Sequence, residues 1–133
     1  MARSPSEHPT QLELQILKIL WEESPRTARQ IRERLETNGR KLAHTSVITT
    51  LQKMVNKRQL KQLEPVEGKA LRFSPRMKEA DVSKRMLCDL VNRVFDGSAE
   101  EVLLSLFDVS DLDENAVKRM RRALNEKMRE QQS

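Results

Sequence analysis

Apolar residues return every three or four positions through most of this chain, and the breaks between those stretches divide it into short helices. Thr10 followed by Glu13 forms a capping-box pattern ahead of QLELQILKILWEE, which places Leu12, Ile16, Ile19 and Leu20 inward. Ser24-Pro25 ends that helix. Thr27 with Gln30 opens a second, whose apolar points are Ala28, Ile31 and Leu35, and Asn38-Gly39 stops it. Residues 40–43 form a linker to a third helix at about 44–57, with Val47, Leu51, Met54 and Val55 on one face.

The period then changes. Leu60–Leu63 and Ala70–Phe73 are short extended candidates, joined by a segment in which Gly68 suits a turn. Pro65 confines the first strand to an edge or an end. Ser74-Pro75 marks a boundary, after which helical spacing resumes. Residues 79–95 carry Val82, Met86, Leu90, Val91 and Val94 on one stripe, and Asp96-Gly97 stops them. Ser98 with Glu101 caps EEVLLSLF, which includes Leu103. A last helix at about 113–129 presents Val117, Met120, Leu124 and Met128, with Lys127 and Arg129 complementing its dipole.

The expected fold is mainly α with a small β wing. An N-terminal winged helix-turn-helix spans 1–77, and a helical region spans 78–133. The C-terminal stripes are narrow and lack aromatic filler, which suits an interlocking dimer better than a self-sufficient core. Val82, Met86, Leu90 and Val94 are the expected dimerisation residues of the first of these helices, and Leu103, Val117, Met120 and Leu124 those of the next two.

The helix at 44–57 is the most informative element. Its outward positions are Thr45, Thr49, Gln52 and Asn56, with Ser46 and Lys53 at the edges and no carboxylate among them. An ordinary solvated face mixes in Glu and Asp. Short hydroxyls and amides can instead hydrogen-bond base edges or phosphate oxygens, and a lysine can pair with phosphate or guanine. A recognition helix for double-stranded DNA follows, backed by a wing on which Lys61, Lys69 and Arg72 supply phosphate or minor-groove contacts.

Charge sharpens this division. Residues 1–77 hold 15 Lys and Arg against 8 Asp and Glu, a balance of +7; residues 78–133 hold 10 against 12, a balance of −2. The positive charge thus lies with the candidate recognition helix. Aromatic content is only 3%, with no Tyr, so the stacking platforms expected of single-strand or RNA binding are missing. Cys88 is the one cysteine, which excludes an internal disulfide and fits a reducing compartment; it is expected as an inert buried thiol. No apolar run approaches a membrane span and MARSPSEHPT has no apolar signal core, so a cytoplasmic protein is expected. No His, Cys and Asp cluster has metal-ligand spacing, and no nucleotide fingerprint or catalytic order of residues occurs. Neither an enzyme nor a cofactor is expected. His44 is as suited to phosphate as to bland exposure, and Trp21 to core or capping packing.

The order of these elements and several local sequences resemble the penicillinase-repressor family of bacterial winged-helix regulators. The likeness covers nearly the whole chain: TQLELQILKILWE, then TARQIRERL, then TSVITTLQKMVNKRQLKQ, and the wing ending ALRFSP. It implies a dimeric repressor that binds a palindromic operator through the winged helix. Thr45, Ser46, Ile48 and Thr49 match the family's DNA-contacting helix, and Lys69 and Arg72 the wing cations. Ile48 stands where members often carry a basic or polar side chain, which bears on operator sequence. Antibiotic-responsive members are inactivated by a regulatory protease at a bond preceding a Phe. Leu106-Phe107 is the matching position, with Leu where the best-known members have Asn. The C-terminal cysteines of copper-responsive members are absent from EKMREQQS.

A second reading belongs to another class, a winged-helix adaptor whose basic face meets an acidic protein partner. The acid-free face of the 44–57 helix separates the two, since an adaptor has no need of it.

Overall fold

The computed structural model describes residues 8–132, leaving out the first seven residues and Ser133 at the outer ends of the two expected domains. Its elements in chain order are α1 (Gln11–Glu22), β1 (Arg26–Thr27), α2 (Ala28–Thr37), α3 (His44–Asn56), β2 (Leu60–Leu63), β3 (Arg72–Pro75), α4 (Glu79–Val94), α5 (Ala99–Val109) and α6 (Glu114–Gln132). Six helices and a small antiparallel sheet make the fold mainly α with a β wing.

Both expected capping boxes are present. The Glu13 N–H donates to Thr10 Oγ1 at 3.1 Å while the Thr10 N–H donates back to Glu13 Oε1 at 3.0 Å. Thr27 and Gln30 do the same at the start of α2, at 3.2 and 2.8 Å. Gly39, at φ +96, ends α2: its N–H reaches the Glu36 carbonyl and the Arg40 N–H reaches that of Leu35. That pair of bonds is the left-handed helix stop that favours glycine. The end of α3 repeats the pattern with Arg58 at φ +66, its N–H on Val55 and that of Gln59 on Met54.

The sheet departs from the expected two-stranded ribbon. It has three strands in the order β1-β3-β2, with Arg26 opposite Phe73 and Thr27 opposite Arg72. The two residues of β1 show no strand signal alone; pairing with β3 makes them a strand. The expected strand 70–73 also slips to 72–75, so Ser74-Pro75 lies in the sheet instead of bounding it. Proline is tolerated there for a geometric reason. The Arg76 N–H donates to the Gln59 carbonyl on the β2 side, so Pro75, one residue back, turns its nitrogen to the other edge. On that edge β1 has already ended and no donor is required.

Ile16, Leu17, Ile19 and Leu20 of α1 pack with Ile31 and Leu35 of α2 and with Val47, Leu51 and Met54 of α3. Leu60 and Phe73 close this core from the sheet. The chain divides into compact units after Asp89, within α4, instead of at the expected 77/78 boundary. Three features of the first unit explain the shift. The Trp21 Nε1–H donates to the Met77 carbonyl at 2.8 Å, Val82 is only 2% exposed, and His8 Nε2 lies 3.4 Å from Asp89 Oδ2. Val82 therefore leaves the set of residues expected to face a partner. Cys88, expected to be buried, is exposed. Six residues past Val82 it lies about 240° round the helix, away from the side that is covered.

The second unit, from Leu90, contains the end of α4 with α5 and α6. Val102 is its most buried apolar residue. Leu90, Val94, Leu103, Leu106, Phe107, Leu124 and Met128 are all exposed in the single chain, and Met86 of the first unit, Val117 and Met120 are half-buried.

Candidate nucleic-acid interface

Helix α3 forms because its apolar positions lock onto the core on one side, leaving the other side to solvent. Val47, Leu51 and Met54 are fully buried, whereas His44, Thr45, Ser46, Thr49, Gln52, Lys53 and Asn56 are exposed. No carboxylate occurs anywhere on α3. Its start is open as well. Ala43 at the N-cap offers no side-chain acceptor, so the first-turn amides keep their capacity for phosphate oxygens.

The far end of α3 is held by a buried polar cluster that the sequence did not disclose. Glu13, 4% exposed, accepts two hydrogen bonds from Lys57 Nζ, at 2.9 and 3.2 Å, and one from Gln59 Nε2 at 3.4 Å. Burial opposes ionisation of Glu13. The hydrogen bonds from Lys57, the Thr10 N–H and Gln59 outweigh it and hold the carboxyl below its ordinary 4.5. The Glu13 carboxylate is thus turned inward and paired with Lys57, and α3 itself contributes no negative charge to its outer face.

The structure places the expected site residues unequally. Thr45, Ser46, Thr49, Gln52 and Lys53 share the open face of α3. Ile48 does not join them fully: it is half-buried and packs against the core. Lys69 is exposed beside the wing turn, which closes through its N–H on the Val66 carbonyl at 2.8 Å with Gly68 at φ +75. Arg72 is half-buried in the central strand, between Thr27 and Leu63. Its neighbour Phe73 points into the core, so the Arg72 side chain leaves the opposite face of the sheet. Lys61 is exposed on β2.

Sequence reasoning missed Arg29. It lies in the first turn of α2, and with His44, Gln52 and Gln62 it rims an open cleft of about 410 Å³ between α2, α3 and the sheet. A charged residue early in a helix gives no sign of this placement, which depends on how α2 packs beside α3. Among the described residues no group of His, Cys, Asp and Glu is arranged to hold a metal, and no helix is long and apolar enough to cross a membrane.

The penicillinase repressor family matches residues 9–126, from the first capping box to the last helix. The chain belongs to that family. It is accordingly a DNA-binding transcription regulator of winged-helix type, and not an enzyme. None of the curated proteins matches it. Two of the solved structures that resemble it show how far the likeness goes. One is RosR of H. salinarum, at 19% identity and a TM-score of 0.46, covering 90% of this chain and 93% of that one. The other is a mutant of ZitR from Lactococcus lactis, at 17% identity and a TM-score of 0.44, covering 96% of this chain and 80% of that one.

Proposed function

We propose that this penicillinase-repressor family member works as a homodimeric repressor that lays α3 into the major groove at each half of a palindromic operator. The observation that carries the reading is the outer face of α3: it is exposed, rich in hydroxyls and amides, and free of carboxylates. Thr45, Ser46, Thr49 and Gln52 reach base edges, and Lys53, Lys69 and Arg72 meet phosphates. Ile48, held partly inward, offers a thymine methyl an apolar contact. Half-sites lie one helical turn or a multiple apart, and affinity falls steeply with salt. No specific observation favours the adaptor reading.

Dimerisation belongs to the helices beyond Asp89. Leu103, Phe107, Met120 and Leu124 line an apolar groove of about 350 Å³ between α5 and α6, in a unit that covers little of its own apolar surface. A second copy of the chain supplies the missing cover. Relief by proteolysis at Leu106-Phe107 carries a structural condition. Both residues are about half exposed, but they lie inside α5. A protease needs extended backbone, so cleavage there requires the last turns of α5 to unwind.

Selection of genomic fragments by the full-length protein at near-physiological salt tests the reading. Enrichment of a short inverted repeat upstream of genes supports it. Recovery of unselected DNA, or of none, counts against it and turns attention to an acidic protein partner.

A further inference from the structure

The cleft beside α3 is unlike the rest of the DNA-facing surface. Its floor is apolar, built from Ala28, Ile48 and Phe73, while its rim carries Arg29, His44, Gln52 and Gln62. Phe73 is 3% exposed and anchored in the core, so the floor is rigid; Leu71 is 40% exposed and stands open at the edge. No acidic residue lines it. Glu33 is nearby but outside, engaging one edge of the Arg29 guanidinium through Nε at 3.3 Å. The volume, about 410 Å³, falls in the range of pockets that take a small organic molecule.

We infer that this cleft is an effector site for an aromatic carboxylate, a molecule whose ring lies on Ile48 and Phe73 and whose anionic group meets the Arg29 guanidinium. Charge decides the class of occupant. An apolar floor alone accepts any hydrophobe, but a rim with a guanidinium, an imidazole and two amides, and no carboxylate, selects an anion. Gln52 and Gln62 offer hydrogen bonds to ring substituents. The site deepens the DNA-binding reading and rests on it for its consequence. His44 and Gln52 belong both to the rim and to the outer face of α3. A bound ligand occupies Gln52, one of the side chains assigned to base contact, so ligand and operator exclude each other, and each lowers the affinity of the other by the same factor.

The test uses 2-naphthoate and its neutral counterpart 2-naphthamide, added to the full-length protein without DNA and followed by methyl NMR. Saturable shifts of the Ile48 methyls are expected with naphthoate, and about tenfold weaker binding of the amide, the loss of one charge-assisted pair. Arg29→Gln should bring naphthoate down to the level of the amide. Ala70→Trp, at an exposed position lining the cleft, should abolish both. Equal affinity of the two compounds, shifts confined to Leu103 and Leu124, shifts unaffected by Ala70→Trp, or none at all would each overturn the site. Displacement of bound operator by naphthoate is a separate reading. Binding to the free protein without displacement would uphold the site and count against α3 as the DNA-contacting helix.

Discussion

The Lys57 ammonium donates to both carboxylate oxygens of Glu13, at 2.9 Å to Oε2 and 3.2 Å to Oε1, joining residues 44 apart in the chain. The pair fastens the end of α3 to the start of α1, and Glu13 also caps α1 through the Thr10 N–H. One buried carboxylate thus ties down the end of a helix whose apolar side is already seated in the core.

Removing it should cost stability. Glu13→Ala leaves Lys57, Gln59 and the Thr10 N–H without their acceptor, and a loss of about 2–3 kcal/mol is expected, since a buried group stripped of its partner is expensive. Glu13→Gln, which keeps an acceptor for Thr10, should lose less. Urea denaturation of both variants measures this, and a Glu13→Ala change below about 0.5 kcal/mol, the level of an ordinary surface substitution, would refute the role.

The same carboxyl predicts a pH dependence with a definite sign. Its folded pKa is held below 4.5, so the unfolded chain binds the proton first. Its contribution is present above the unfolded value and is lost as pH falls through the folded one. Thermal unfolding between neutral pH and the acid range should therefore show stability declining below about 4.5, the unfolded value. Glu13→Gln should flatten that decline, and equal slopes in the two proteins would contradict the assignment.

Arg58 holds a left-handed conformation, φ +66, at the stop of α3. Glycine adopts that conformation without the Cβ clash, so Arg58→Gly should stabilise the protein by about 0.5–1 kcal/mol. A raised urea midpoint with an unchanged slope is the expected result; a lowered midpoint would mean that the Arg58 side chain makes a stabilising contact.

Thr49 stands exposed at the middle of the outer face of α3. Thr49→Ala should weaken binding to the selected operator by about three- to tenfold, the worth of one hydrogen bond, and leave binding to random DNA unchanged. Fluorescence anisotropy on both DNAs separates the outcomes. Equal losses would assign Thr49 to the phosphate backbone.

Phe107 and Leu124 are 49% and 51% exposed in the single chain and line the same groove. Phe107→Glu and Leu124→Glu should therefore spare the fold of the chain while placing charge in the proposed dimer contact, and sedimentation should find monomers. Variants that remain dimers would move the contact elsewhere.

Local features were legible because their causes are local. Thr10 with Glu13 and Thr27 with Gln30 cap helices through bonds three residues long, and Gly39 stops α2 by its own backbone freedom. The apolar stripe of Val47, Leu51 and Met54 needed only helical spacing, and the polar face opposite it followed. Those residues sufficed to imply a recognition helix and the resemblance to the family that matches residues 9–126.

Other features exist only through contacts between distant residues. Arg26 and Thr27 become a strand because Phe73 and Arg72 lie beside them, and that pairing draws Ser74 and Pro75 into the sheet. Val82 is buried and Cys88 exposed because only one side of α4 is covered, which helical periodicity cannot choose. The Glu13–Lys57 pair and the Arg29-rimmed cleft follow from the packing of α1, α2 and the sheet around α3. The order of side chains along the chain determined which faces could be buried and which could meet DNA. The tertiary structure decided which of them met one another, because burial and ion pairing depend on separation in space.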